Sequence, residues 1–178
     1  YGVDINRNYP YAWNTCQGSS GSQSSDTYRG ESPGSEPETQ AISAFAAKIK
    51  PKFNISYHSY SEIVIYPFGC KPKKIPEPDK SIYEKYGWEL AKKLVRDSGS
   101  GNYVPGTPYE LLYNVDGGSV DWMYANHKIM SFVVEVNSDS QGFQPSYSRW
   151  RDITVERQRA GWQYLLDQME GPGIQGNL

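Results

Sequence analysis

The chain has 178 residues, of which 21% are charged, and its formal net charge is −2. A chain of this length can form one domain that buries roughly 70% of its unfolded surface. The charge balance argues against nucleic acid or an anionic membrane as a partner, and no apolar run reaches the roughly 18 residues of a membrane span.

Composition and cysteine usage bear on the compartment. Tyrosine and glycine are abundant, at 15 and 17 residues, which is common in extracellular hydrolases, so we expect a secreted or extracytoplasmic protein. Cys16 and Cys70 either form one disulfide or remain thiols, and their spacing fits no zinc ribbon. The chain begins with neither an initiator methionine nor a signal peptide, so we expect a cut N-terminus.

The first third of the chain is predicted to contain a short extended segment, a long loop and one helix. Residues 1–8 form the extended segment, with Val3 and Ile5 inward, and residues 9–35 form the loop. Ser35 is the predicted N-cap of the helix, Glu38 completes a capping box, and Pro51 prevents continuation. One face of this helix is marked at helical spacing by Ala41, Ile42, Phe45 and Ile49.

Short apolar strands alternate with helices in the rest of the chain. Strands are predicted at 53–58 and 63–66 and, as a near-continuous apolar run that favours burial on both faces, at 129–136. Helices are predicted at 79–97, 119–126 and 152–169, an extended segment at 110–115, and a frayed tail at 171–178. The predicted inward face of the last helix is Trp162, Leu165, Leu166 and Met169. This alternation predicts an α/β fold with helices on both faces of a sheet.

Two polar side chains belong to these strands. His58, at the end of a predicted strand, is either a hydrogen-bonded structural residue or a metal ligand or acid–base group. Glu135 lies in the most hydrophobic strand, on the same predicted face as Val133. A carboxylate there is costly unless it is paired, metal-bound or protonated. Glu135 is therefore either part of a buried ion pair or a functional carboxylate that faces a cleft.

Four segments, in this order, resemble the second half of the catalytic domain of the zinc carboxypeptidases, namely carboxypeptidases A and B and the bacterial carboxypeptidase T type. They are GVDINRN (2–8), YHSYSEIVIYPFG (57–69), YNVDGGSVDWMY (113–124) and FVVEV (132–136), and the loop YRGESPGSEPET (28–39) is similar as well. The resemblance implies that residues 1–178 are the C-terminal part of a single catalytic domain. It implies a mixed sheet flanked by helices on both faces and lacking its N-terminal strands.

The resemblance also implies roles for individual residues. His58 matches a zinc ligand of the family and precedes Ser59 and Tyr60, which are expected among the substrate-binding residues. Glu135 matches the catalytic glutamate, which takes a proton from the attacking water and passes it to the leaving amine. The expected cofactor of the complete domain is therefore zinc.

Peptide or protein C-termini are the substrates that the family implies. Asn6 and Arg7 match the residues that bind the terminal carboxylate, and an amide with a guanidinium fork suits that planar anion. Tyr113 matches a mobile tyrosine that closes over the bound peptide.

The side-chain pocket is expected to be apolar. Val120 matches the floor of the family's pocket for the C-terminal side chain, and Val115 and Val133 are expected to line it. These residues favour apolar or aromatic C-termini. Asp116 is close in sequence to these residues, so acceptance of a C-terminal lysine or arginine by the pocket stays open.

The chain departs from the family pattern in its metal ligands. The family binds zinc with His-x-x-Glu and a distant histidine, but Ser61 lies three residues after His58 and Met130 three residues after His127. Two of three ligands are therefore absent, as is the arginine that polarises the scissile carbonyl. We expect the chain alone to be inactive, to bind zinc weakly or not at all, and to associate with the missing N-terminal half or with another copy of itself.

Two other functions stay open from the sequence. One is a non-catalytic module that binds peptide C-termini or assembles with a partner after losing its metal site. The other is a glycoside hydrolase with a carboxylate pair, suggested by the aromatic-rich surface. An His-x-x-Glu upstream of residue 1 in the gene would decide for the zinc enzyme.

Overall fold

A mixed four-stranded sheet forms the centre of the part that the computed structural model describes, residues 2–169. The strands are β1 (Phe53–Ser59), β2 (Ile63–Ile65), β3 (Val104–Gly106) and β4 (Met130–Val136), in the order β1-β4-β2-β3. β4 is parallel to β1 and antiparallel to β2, which is parallel to β3. The helices are α1 (Pro37–Ile49), α2 (Asp79–Lys93), α3 (Pro108–Leu111), α4 (Ser119–His127) and α5 (Tyr147–Asp167). The predicted tail at 171–178 lies outside the described residues.

β4 is buried on both faces, as predicted. Phe132 and Val134 are fully buried in a core cluster with residues of α2 and α5, including Leu90 and Leu165. On the other face Val133 packs in a second cluster with Val120 of α4. The mixed sheet with flanking helices that the sequence predicts is therefore confirmed. Within residues 2–169, no helix has both the length and the apolar content to cross a membrane.

The phenol of Tyr83 is a polar contact inside the larger core cluster. It donates a hydrogen bond to the carbonyl of Ile129 at 3.1 Å and accepts one from the backbone N–H of Ser131 at 3.0 Å. Tyr83 is 1% exposed. This side chain therefore satisfies two backbone groups at the start of β4.

Replacing Tyr83 with phenylalanine should lower the free energy of unfolding by about 1–3 kcal/mol, because two buried backbone groups lose their partner while the ring still fills its space. Urea denaturation measures the effect. The matched control is Tyr147→Phe on α5, where the side chain is 72% exposed and the change should stay within about 0.5 kcal/mol. Equal stability of the two variants would contradict the assigned role.

The predicted apolar face of α1 is exposed to solvent. Ile42, Phe45 and Ile49 are 45%, 58% and 47% exposed, and Ala41 is exposed as well. Ala46 is the buried apolar residue, in a cluster that includes residues of α4. The helix that this spacing predicts is confirmed, but within residues 2–169 no helix or strand covers its apolar stripe.

Three of the predicted helix ends also differ. The N-cap of α1 is Glu36, and the Ser35 hydroxyl donates to the Glu36 carboxylate, so the predicted capping box is not formed. α2 ends at Lys93, four residues before the predicted end, because Leu94 adopts an extended conformation. α5 begins at Tyr147, five residues early. Of the predicted inward face of the last helix, only Leu165 is buried: Trp162 and Leu166 are 36% and 51% exposed, and Met169, which lies beyond the end of α5, is 48% exposed.

Three short segments have a different structure from the prediction. Residues 110 and 111 belong to a helix, α3, which begins at Pro108 and has the side chains of Thr107 and Glu110 as its capping box, and residues 112–115 form no strand. β3 forms in a stretch for which the sequence analysis predicts no strand. The start of the chain is not extended either, because Ile5–Arg7 form a 3-10 turn that the Asp4 carboxylate caps.

A disulfide joins Cys16 and Cys70, which settles the pairing that the sequence left open. It connects the long loop before α1 with the segment that follows β2. Asp116 lies beside it, fully buried, and accepts hydrogen bonds from the backbone N–H groups of Cys16 (3.0 Å) and Gly18 (3.1 Å). These contacts fix the loop segment that carries Gly18.

Candidate active site

His58 and Glu135 are neighbours at the ends of two parallel strands. The register of β1 and β4 pairs them directly, so both side chains emerge from the same face of the sheet. Both line a cavity of about 690 Å³. His58 Nε2 lies 3.0 Å from the Ser56 hydroxyl, which fixes the ring. An imidazole and a carboxylate therefore meet at the rim of one cavity.

Burial shifts the pKa of both groups. It raises the pKa of Glu135 to about 7, and the positive charge of Arg7 opposes this shift. Burial lowers the pKa of His58, an effect that Asp4 opposes and Arg7 reinforces. A carboxylate with a pKa near 7 and an imidazole that favours its neutral form suit a general base beside a metal ligand.

The guanidinium of Arg7 is held in place from behind. Nε donates to the carbonyl of Gly18 at 3.0 Å, Nη1 donates to the carbonyl of Asn6 at 2.9 Å, and Asp4 lies 3.9 Å from Nη1. Among residues 2–169, Nη2 makes no hydrogen bond. Arg7 also lines the cavity, so its fork has donors left for a bound anion.

Asn6 is oriented by the start of α4. Its Oδ1 accepts hydrogen bonds from the backbone N–H and the hydroxyl of Ser119, both at 3.0 Å. Because Oδ1 faces Ser119, the Nδ2 amino group of Asn6 points away from Ser119. Asn6 lines the same cavity as Arg7, and both belong to the 3-10 turn, so one short element carries an amide and a guanidinium to the same space.

The cavity has an apolar wall beside these polar groups. Its lining includes Val115, Val120 and Val133, the three residues that the sequence suggested for a side-chain pocket. Ser59 also lines the cavity, and Tyr113 does so with a 57% exposed side chain. Tyr60, which the sequence grouped with these residues, is 37% exposed and is not part of the lining.

The acidic residue at this wall is Asp121, not Asp116. Asp116 is absent from the cavity lining because the loop of Cys16 and Gly18 engages its carboxylate. Asp121 lines the cavity and accepts a hydrogen bond from the backbone N–H of Gly69 at 2.9 Å. Sequence reasoning missed Asp121, although an acidic residue directly after Val120, in the first turn of a helix with an apolar face, was a usable signal.

The residues present fit part of a zinc site. His58 is the histidine at the cavity, whereas His127 packs edge-on against the ring of Trp122, at 4.8 Å between centroids. Among residues 2–169, the one cluster with metal-like spacing is Cys16, Cys70 and Asp116, and its sulfurs are joined in the disulfide. A catalytic zinc site takes three protein ligands. His58 suits one of these positions, and the described residues do not complete the set.

The pKa of Glu135 makes the stability of the chain depend on pH. A carboxyl whose pKa rises from 4.5 to about 7 on folding binds its proton more tightly in the folded state. Its stabilising contribution is therefore complete below pH 4.5 and is lost as the pH rises through 7. With a chelator present, Glu135→Gln should match the wild type at pH 4.5 and be more stable by about 2–3 kcal/mol at pH 8.

Thermal or urea unfolding at the two pH values measures this difference. Glu156→Gln is the matched control, because it removes a glutamate carboxylate from the exposed surface of α5. A constant difference between Glu135→Gln and the wild type across this range would mean that the carboxyl is not protonated on folding.

Comparison with known proteins places the chain in a family. The zinc carboxypeptidase family model matches residues 1–159. Zinc carboxypeptidase A 1 of Anopheles gambiae is 32% identical over 146 residues, which are 80% of this chain and 33% of that protein. Mouse carboxypeptidase A1 is 33% identical over 136 residues, covering 76% of this chain and 32% of that protein.

A solved structure has a fold similar to that of this chain. Bovine thrombin-activatable fibrinolysis inhibitor, in complex with tick carboxypeptidase inhibitor, superposes with a TM-score of 0.76 at 30% identity, over 95% of this chain and 58% of that one. The chain spans about a third of the length of the curated relatives that it matches. The extent of the family match and the shared fold establish that the chain belongs to the zinc carboxypeptidase family.

Proposed function

We propose that residues 1–178 form the C-terminal part of the catalytic domain of a zinc metallocarboxypeptidase that releases apolar or aromatic C-terminal residues from peptides. The observation that carries the proposal is the shared cavity: an anion-binding guanidinium, an apolar wall and the His58–Glu135 pair line the same space. Family membership supports the reaction class.

Each group has a distinct task in this proposal. Arg7 binds the terminal carboxylate through its remaining donors, with Asn6 Nδ2 beside it. The apolar wall of the cavity contacts the C-terminal side chain, and Ser59 contributes a hydroxyl group. Tyr113, which is exposed at the cavity, closes over the peptide.

Glu135 acts on the peptide bond that precedes the bound residue. It takes a proton from the attacking water as the oxygen adds to the carbonyl carbon, and it delivers that proton to the leaving nitrogen as the C–N bond breaks. A pKa near 7 suits both transfers. Zinc, held in part by His58, supplies Lewis acidity when bound.

The same proposal assigns the chain a companion. β1 pairs with β4 along one edge, and within residues 2–169 no strand covers its other edge. The apolar stripe of Ile42, Phe45 and Ile49 on α1 is exposed as well. A strand edge and an apolar helix face favour association. The companion that we propose is the remaining part of the catalytic domain, which also completes the metal ligands, and the chain alone is inactive.

Reconstitution tests this function. The chain is coexpressed with the first half of a zinc carboxypeptidase domain that carries His-x-x-Glu, and release of phenylalanine from a peptide terminus is measured with zinc or with a chelator. We expect release only from the complex with zinc, and none from the chain alone. His58→Ala should abolish release while the peptide still binds. Zinc-dependent release by the chain alone would refute the requirement for a companion.

A second function has one observation in its favour. The described residues contain a positioned Arg7–Asn6 pair but an incomplete set of metal donors. A non-catalytic module that binds peptide C-termini fits these facts. Carboxylate-dependent binding by the reconstituted complex, without release at any zinc concentration, would favour this module over the enzyme.

The disulfide bears on where the protein works. Disulfides persist in oxidising compartments and are rare in the cytosol. The Cys16–Cys70 bond therefore supports a secreted or extracytoplasmic location. A free-thiol assay on the protein from its native source, with and without denaturant, tests this: two reactive thiols would contradict it.

A further inference from the structure

The carboxylate of Asp116 does not line the cavity, but one loop segment links it to Arg7, which does. Its Oδ2 accepts hydrogen bonds from the backbone N–H groups of Cys16 at 3.0 Å and Gly18 at 3.1 Å. The carbonyl of Gly18 in turn accepts the hydrogen bond from Arg7 Nε at 3.0 Å. Gly18 therefore connects the two side chains, with its N–H bound to the carboxylate and its carbonyl bound to the guanidinium.

Asp116 is an unusual residue to find in this position. It is fully buried, and among residues 2–169 its Oδ1 has no hydrogen-bond partner. Burying a carboxyl oxygen without a partner is costly. Its other oxygen accepts two N–H donors at once, and the hydrogen bonds that a carboxylate accepts are roughly twice as strong as those between neutral groups. The contacts that offset the cost of burial are therefore those that fix the loop.

The loop also packs directly on the segment that carries Asp116. A Cβ atom on Gly18 would lie 2.5 Å from the backbone nitrogen of Asp116 and 2.6 Å from Val115 Cα, both too short for a Cβ contact. A Cβ atom on Gly117 would lie 2.2 Å from the carbonyl oxygen of Arg7. Because Asp116 and Gly117 are consecutive, one segment contacts the backbone of Arg7 directly and its guanidinium through Gly18.

We propose that Asp116 is a positioning residue for Arg7: it fixes the Gly18 carbonyl that holds the guanidinium in place for the terminal carboxylate of a peptide. This inference rests on the proposed function, because it concerns the same anion-binding group. The disulfide anchors Cys16, but Gly18 lies two residues further along and its N–H is bound by Asp116. A side chain that is ordered before binding loses less conformational entropy on binding, so a fixed guanidinium binds the anion more tightly.

Loss of the Asp116 carboxylate should weaken carboxylate recognition without abolishing it. Arg7 keeps its hydrogen bond to the carbonyl of Asn6 and its contact with Asp4, so the effect should be smaller than that of Arg7→Ala. The loss of one hydrogen bond corresponds to about a 2- to 12-fold change in affinity. We expect Asp116→Ala to lower the preference for a free over an amidated C-terminus by a factor in this range.

The test measures dissociation constants of the chain for a peptide that ends in phenylalanine, with a free or an amidated C-terminus, by titration calorimetry. The ratio of the two constants reports recognition of the carboxylate. This ratio should fall about 2- to 12-fold in Asp116→Ala. In Asp116→Asn it should stay within about twofold of the wild type, because the amide oxygen can accept both hydrogen bonds in place of Oδ2. Gly18→Ala displaces the same loop with Asp116 intact, so it should lower the ratio as Asp116→Ala does.

Two further measurements separate positioning from a general loss of stability. Tyr83→Phe is the matched control, because it weakens the core cluster at a residue that does not line the cavity, and it should leave the ratio unchanged. In heteronuclear NMR spectra, the Nε–H of Arg7 should exchange faster with solvent in Asp116→Ala than in the wild type. The Arg7→Ala variant identifies this signal by its absence.

The outcomes distinguish this inference from the function on which it rests. An unchanged ratio or an unchanged exchange rate in Asp116→Ala overturns the inference and leaves the proposed function intact, as does an equal fall of the ratio in Tyr83→Phe. If Asp116→Ala does not fold, the same two measurements on Gly18→Ala decide. If the wild type binds the free and amidated peptides equally, the proposed function fails and takes this inference with it.

Discussion

Replacing Arg7 with alanine should weaken the binding of peptides with a free C-terminal carboxylate by at least about 30-fold. Arg7 is 6% exposed, and the carbonyls of Gly18 and Asn6 hold its guanidinium in position. Removing one partner of a buried, hydrogen-bonded charge pair costs about 2–5 kcal/mol, which corresponds to about 30-fold to several thousand-fold in affinity. Titration calorimetry with a peptide that ends in phenylalanine measures the loss.

Two comparisons make the Arg7 result specific. The amidated form of the same peptide should bind the wild type and the Arg7→Ala variant equally weakly, because it lacks the anion. Arg159→Ala, which removes an exposed arginine of α5, should leave both affinities unchanged. Retention of wild-type affinity by Arg7→Ala would mean that the carboxylate binds elsewhere.

Glu135→Gln should lower the rate of peptide hydrolysis by about 10²–10⁴-fold in the zinc-loaded, reconstituted complex, since glutamine cannot accept the proton of the attacking water. Substrate affinity should change little, because the substitution alters neither Arg7 and Asn6, which bind the terminal carboxylate, nor the apolar wall of the cavity. Steady-state kinetics separate these effects: kcat falls and KM is nearly constant. The exposed Glu156→Gln variant serves as control, and hydrolysis at the wild-type rate by Glu135→Gln would remove this residue from the reaction.

The parts of the fold that the sequence predicted are those in which local pattern and burial agree. The apolar run around Glu135 is buried on both faces, so its hydrophobicity alone indicated a central strand. The short helix predicted after Gly118 is also present in the structure, as α4. The apolar stripe of α1 is exposed among the described residues. An amphipathic period predicts a helix with one apolar face, but it does not identify which residues pack against that face. The segment around Pro108 misled because a capping box outweighed its extended-looking composition.

The candidate site was predictable as a set of residues but not as a geometry. Residue types and the family resemblance selected His58, Glu135 and Arg7. The strand register that pairs the first two, and the loop carbonyl of Gly18 that orients the third, depend on contacts between distant parts of the chain. Asp121 shows the same limit, since only the structure distinguishes it from Asp116 as the carboxylate of the wall.

The Cys16–Cys70 bond has a consequence for proteolytic damage. It closes a covalent loop that spans 54 positions and includes the polar stretch 19–26. Exposed polar loop tips are preferred sites of nicking. After a cut within this stretch, the disulfide still joins the two fragments. The nicked protein should therefore migrate as one band in denaturing gel electrophoresis without reductant and as two bands after a thiol reductant is added.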